Sequence, residues 1–104
     1  MSAVMPAEVV RSALSAPRGD RVDAAMRAEG LSPRRWSNAP GDRYGWHRHD
    51  YHKVLYCVAG SIVFHTDDAG DLELRAGDRL DLPPGTDHAA TVGDHGVECV
   101  EAPL

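Results

Sequence analysis

Long apolar runs are missing from this sequence. None approaches the roughly 20 residues that a membrane-crossing helix needs, and Glu8 interrupts the stretch where a secretory leader would be apolar. A cytoplasmic location with no membrane partner is the expectation. Positive charge is also scarce: 11 Lys and Arg stand against 16 Asp and Glu, for a formal net charge of −5, and the basic residues are scattered. Such a chain lacks the clustered positive footprint that nucleic acid requires, so no nucleic-acid partner is expected. Cysteine is limited to Cys57 and Cys99, with no C-x-x-C pair. Both fall in apolar, strand-like runs, which suits buried free thiols better than a disulfide or a ligand role. There is no internal repeat and no low-complexity tract, and 104 residues suffice for one core but not two.

What is present falls into two textures. Over residues 1–31 the spacing predicts a helical N-terminal extension packed on the rest. One short helix carries Val9, Val10, Ala13 and Leu14 and ends near Pro17; a second starts with Asp20 as N-cap, turns Val22, Ala25 and Met26 inward, and stops at Gly30. From Leu31 the segment SPRRWSNAPGD reads as an irregular lead-in. Residues 32–104 then form an all-β domain. Strands are expected at 53–58, 61–65, 72–75, 79–82, 89–92 and 97–102, with turns at Gly60, DDAGD and GDHG. Short strands at tight spacing with no helix between them exclude a β-α-β topology and favour a small antiparallel sandwich or barrel.

The chemistry concentrates in GWHRHDYHK, residues 45–53, which holds three of the six histidines. On a strand His47 and His49 share a face, about 7 Å apart at Cα, and can converge on one ion, whereas His52 points the other way. Imidazole suits Zn, Fe, Ni, Cu and Mn alike. A third ligand is needed, and His88 is best placed, because it follows the turn PPGTD and opens the strand AATV. His65 and His95 read as surface histidines.

Two longer patterns frame these residues. GDRYGWHRHDYHKVLYCVAG places Gly41, His47, His49, Lys53 and Gly60 at intervals of five, one, three and six residues; GDRLDLPPGTDH places Gly77, Pro83, Gly85 and His88 at five, one and two. Both resemble the paired motifs of the cupin superfamily, G-x5-H-x-H-x3/4-E-x6-G and G-x5-P-x-G-x2-H-x3-N. The resemblance implies a small antiparallel jelly-roll β-barrel, and a divalent metal ion, such as Zn, Ni, Fe or Mn, held by His47, His49 and His88.

Two positions depart from the family pattern. Its glutamate ligand falls on Lys53 and its final asparagine on Val92. A protonated lysine has no lone pair to donate and repels a cation. Lys53 therefore recruits a small anionic molecule beside the metal, or is neutralised by Asp50, Asp81 or another acid, or marks a site that has lost its metal. Tyr51 shares the parity of the histidines and is placed to line the pocket with Lys53, while Trp36, Tyr44 and Trp46 read as packing at the barrel mouth. The expected function is a metal-binding cupin with a pocket for a small, anionic ligand, acting as a metal-dependent enzyme of dioxygenase, isomerase or lyase type. The alternatives are a non-catalytic binding or sensing cupin and a metal-free one. A homodimer is expected, since exposed strand edges in so small a chain invite pairing.

Overall fold

The computed structural model describes residues 6–15 and 18–104. Within them lie strand β1 (Glu8–Val10), helix α1 (Gly19–Ala28) and strands β2 (Arg34–Asn38), β3 (Arg43–His47), β4 (Lys53–Thr66), β5 (Gly70–Arg75), β6 (Arg79–Leu82) and β7 (His88–Pro103). Every strand pairing is antiparallel. β4 and β7 form the spine; β5 and β6 pair with β4, β2 and β3 pair with β7, and β1 pairs with β6. The jelly-roll fold is the one expected, with one difference. The hydrogen-bonded ladder runs β1-β6-β4-β7-β2 and does not bond its two ends together, so the barrel is open.

After Lys53 the run VLYCV is continuously buried because β4 is covered on both sides. Its inner face sets Leu55 and Cys57 against Ile62, Phe64, Leu74, Leu80, Leu82, Val92, Val97 and Cys99. Its outer face sets Val54, Tyr56 and Val58 against Val100, Ala102 and the helix residues Val22, Met26 and Leu31. Val22 and Met26 are wholly enclosed, each worth about 1.5–3 kcal/mol of apolar burial, and that contact docks α1 on the sheet. The helix ends on Gly30, at φ +80. There the Leu31 amide donates to the Met26 carbonyl and the Gly30 amide to that of Arg27, each at 2.9 Å, in the paired arrangement that a left-handed glycine permits.

Several sequence-based expectations are corrected. The first expected helix is instead β1, with Val9 opposite Leu80: two β-branched residues take the free edge of β6 more readily than a short helix. Its expected end at Pro17 lies outside the described residues. The second helix begins at Gly19 with Arg18 in the N-cap position, and Asp20 sits in the first turn, where its charge favours the helix dipole without capping. The lead-in is not irregular, because β2 takes up one half of the edge of β7 that β4 leaves free, and β3 after it takes up the other half.

Gly60 and the GDHG segment do not end strands either. Each is a bend within a long strand, with Gly60 at φ +73 and Gly96 at φ +76. A Cβ on Gly60 would collide with the Gly96 carbonyl oxygen, so the two bends nest into each other. The two cysteines face one another across β4 and β7 as buried free thiols.

Candidate metal centre and cavity

His88 is the first residue of β7 and lies directly opposite His47, the last of β3. The register between these strands shifts between Tyr44 and His47. This irregularity lets Tyr44 and His47, three residues apart, both line one cavity while Trp46 stays 63 % exposed. β3 ends at His47, so His49 reaches the site from a loop and not by strand parity.

The second motif holds that loop. The Gly85 amide donates to the His49 carbonyl at 2.8 Å, and the turn needs φ +79 at Gly85, which glycine adopts without penalty. The Thr86 hydroxyl closes the same turn on the Pro83 carbonyl at 2.9 Å.

The three imidazoles cluster tightly. Ring centroids are 4.2 Å apart for His47 and His88, 5.0 Å for His47 and His49, and 5.2 Å for His49 and His88. One ring nitrogen from each lies within 4.8 Å of the others. Backbone carbonyls fix two of the tautomers. Nδ1 of His47 donates to the Gly45 carbonyl at 2.8 Å and Nδ1 of His88 to that of Thr86 at 2.9 Å. A carbonyl can only accept, so Nδ1 carries the proton and Nε2 keeps a lone pair.

Among the described residues, Nε2 of His49 and of His88 is enclosed without a partner, an arrangement that costs about 1–3 kcal/mol per group unless something else satisfies it. Burial lowers the His49 pKa, and the charges of Lys53 and His47 lower it further. For His88 burial again dominates; His47, His49 and Lys53 add to it and the Thr86 carbonyl opposes it. Both are thereby held in the neutral form that ligates metals. The donor set fits a divalent ion.

The histidines form one wall of a cavity of about 160 Å³, roughly five water volumes. Ile62, Phe64 and Ala90 make an apolar wall, Trp36 and Tyr44 an aromatic one, and Lys53 and Glu101 a charged one. Lys53 Nζ stands 3.2 Å from Glu101 Oε2, with side chains 11 % and 23 % exposed. Lys53 lies opposite Pro103 in the β4–β7 register, which makes Glu101 its diagonal neighbour on the same face, within reach of long side chains. Lys53 thus has an acid partner, and it is neither of the two named from the sequence. Asp81 is taken by Arg79 Nε at 2.9 Å and His52 Nε2 at 2.8 Å.

Tyr51 packs its ring 5.0 Å from that of His49, at 32°, but is not among the residues that line the cavity. His65 is occupied elsewhere, between Asp71 and Thr91. Sequence reasoning missed Glu101 and gave Trp36 and Tyr44 to packing. One signal was there to be read: in VECVEA, Glu101 shares strand parity with Cys99, so an acid stood on a face otherwise committed to the core.

The Cupin domain family model matches residues 34–101, which takes in β2 through β6, all but the last two residues of β7, and every cavity residue named above. The chain is a cupin. Among curated proteins no match reaches significance. A crystal structure of DMSP lyases is similar at 29% identity and a TM-score of 0.66, over 70% of this cupin and 37% of that chain. An RmlC-like cupin from Shewanella frigidimarina NCIMB 400 is similar at 26% identity and 0.62, over 70% and 64%. Bacillus subtilis oxalate decarboxylase shares the fold at 22% identity and 0.64, over 70% and 20%. This cupin therefore spans less than two thirds of the length of each of these structures.

Proposed function

We propose that this cupin binds one divalent metal ion through His47, His49 and His88 and uses the adjoining cavity to hold a small anionic molecule, on which it acts as a metal-dependent enzyme. The observation that carries the reading is the pair of enclosed, unpartnered Nε2 atoms on His49 and His88, within 4.8 Å of a third imidazole nitrogen. Three neutral ligands leave coordination positions open for a water or a substrate oxygen. A bound ion supplies Lewis acidity or an oxygen-activating centre there.

The protein's own groups do the rest. Lys53 draws a carboxylate or similar anion toward the histidines, and Ile62, Phe64 and Trp36 give the rest of the molecule an apolar surface to pack on. Similarity to structures of DMSP lyases and an RmlC-like cupin supports small-molecule chemistry but does not select dioxygenase, isomerase or lyase. Elemental analysis of tag-free protein, followed by calorimetric titration with Zn²⁺ and Ni²⁺, tests the proposal. A stoichiometric ion supports it and the absence of any uptake refutes it.

A second reading, a metal-free binding cupin, is favoured by one observation. The Lys53–Glu101 pair stands where an acidic ligand would otherwise serve the ion. The same titration separates the two. A homodimer is proposed under either reading, because β3 is exposed along its whole length. Light scattering giving the mass of two chains at micromolar concentration is the expected result, and a monomer refutes it.

A further inference from the structure

The cavity offers a ligand two enclosed donors and one acidic acceptor. The donors are the Lys53 ammonium and the Trp36 indole N–H, which is buried and has no partner among the described residues. The acceptor is Glu101, already 3.2 Å from Lys53 Nζ. An ammonium has three protons to give, so a ligand carboxylate can reach Lys53 without displacing Glu101. It then lies beside a second carboxylate. Two carboxylates flanking one ammonium repel each other in a partly buried site, and a ligand relieves that repulsion only by giving Glu101 a hydrogen.

We propose that the ligand is a small carboxylic acid carrying a hydrogen-bond donor next to its carboxylate, a hydroxy acid or an amino acid. The carboxylate binds Lys53 and the neighbouring hydroxyl or ammonium donates to Glu101. The inference rests on the anion-binding reading of the cavity and deepens it by naming what must accompany the anion. Size agrees: a cavity of about 160 Å³, roughly five water volumes, admits an acid of two to four carbons.

The test compares propionate, lactate and alanine, which differ only in what the second carbon carries. Each is titrated into metal-free protein and followed by NMR at the Trp36 indole N–H, so that chelation of a metal by the hydroxyl or amine plays no part. Lactate or alanine should bind about tenfold more tightly than propionate, the ratio that one unrelieved carboxylate contact at about 6 Å and intermediate screening produces. In Glu101→Gln, propionate should bind more tightly than in the wild type and the ratio should fall below threefold. Equal affinities in the wild-type protein overturn the proposal even if the variant fails to fold. A preference that survives Glu101→Gln overturns it too. If none of the three acids binds, the anion-binding reading falls and this inference falls with it, an outcome distinct from binding without preference.

Discussion

Reversing the charge of Lys53 should strengthen metal binding at the three histidines. Lys53 is nearly enclosed and lines the same cavity as His47, His49 and His88, and its charge already pushes protons off His49 and His88. A field that disfavours a proton on these rings disfavours a metal ion there as well. A unit charge about 6 Å from a dication contributes about 1.4 kcal/mol even at the screening of bulk water. Lys53→Glu changes the local charge by two units, about 2.8 kcal/mol in that limit, or a hundredfold in affinity.

Part of this is absorbed, because the new carboxylate stands beside Glu101 and the pair takes up a proton when no metal is present. An increase of at least tenfold is the expected result. Metal-free Lys53→Glu should be less stable than the wild type by about 1–3 kcal/mol, since it exchanges a partly buried ion pair for two acids; saturating Zn²⁺ should recover that loss. Calorimetric titration with Zn²⁺ and Ni²⁺, together with Tm in chelator and in metal, measures both effects. Unchanged metal affinity would refute the electrostatic reasoning, for it would mean that the charge on residue 53 does not act at the histidines.

The remaining predictions concern the rings, the pH response and the strand bends. Alanine at His47, His49 or His88 should abolish most metal affinity, while alanine at His52, His65 or His95 should change it less than threefold; loss of binding in His52→Ala alone would refute the assignment. Metal-free stability should fall as pH drops below about 6.5: unfolded His49 and His88 then bind protons that the folded protein, with both pKa values lowered, refuses. Urea midpoints between pH 7.5 and 5 check this, and a flat profile contradicts it. Gly60→Ala should cost more than Gly30→Ala in urea unfolding. Both residues have positive φ, worth about 1 kcal/mol of strain, but a Cβ at Gly30 meets open space and one at Gly60 meets the Gly96 carbonyl.

The jelly roll and the convergence of three histidines were legible because motif spacing encodes both the turns and the ligands. Gly85 shows why: its left-handed backbone and its amide bond to His49 tie the second motif to the first. Strand parity, by contrast, gave a wrong account of how His49 arrives, since β3 stops at His47 and the loop does the work. β2 was invisible for a physical reason. Arg34, Arg35, Ser37 and Asn38 have little intrinsic strand preference, and it is the unpaired edge of β7, a tertiary fact, that makes them a strand. β1 was hidden differently: Val9 and Val10 favour a strand, but their spacing with Ala13 and Leu14 imitates a helix. Glu101 was not legible as the partner of Lys53 because no motif spacing relates the two, and only the β4–β7 register brings them onto one face.

The two spine strands have a consequence for how the site comes into being. β7 carries His88 at one end and Glu101 near the other, and β4 carries Lys53 at its start and Phe64 close to its finish. Their ladder, bent at Gly60 and Gly96, must form over its whole length before both ends meet around one cavity. A ligand that touches both the histidines and Glu101 therefore needs both ends of this ladder in place, so its occupancy reads out global folding rather than a local loop. Slow amide exchange should accordingly be deepest along β4 and β7, and a ligand should protect the helix-covered face as strongly as the cavity wall it touches.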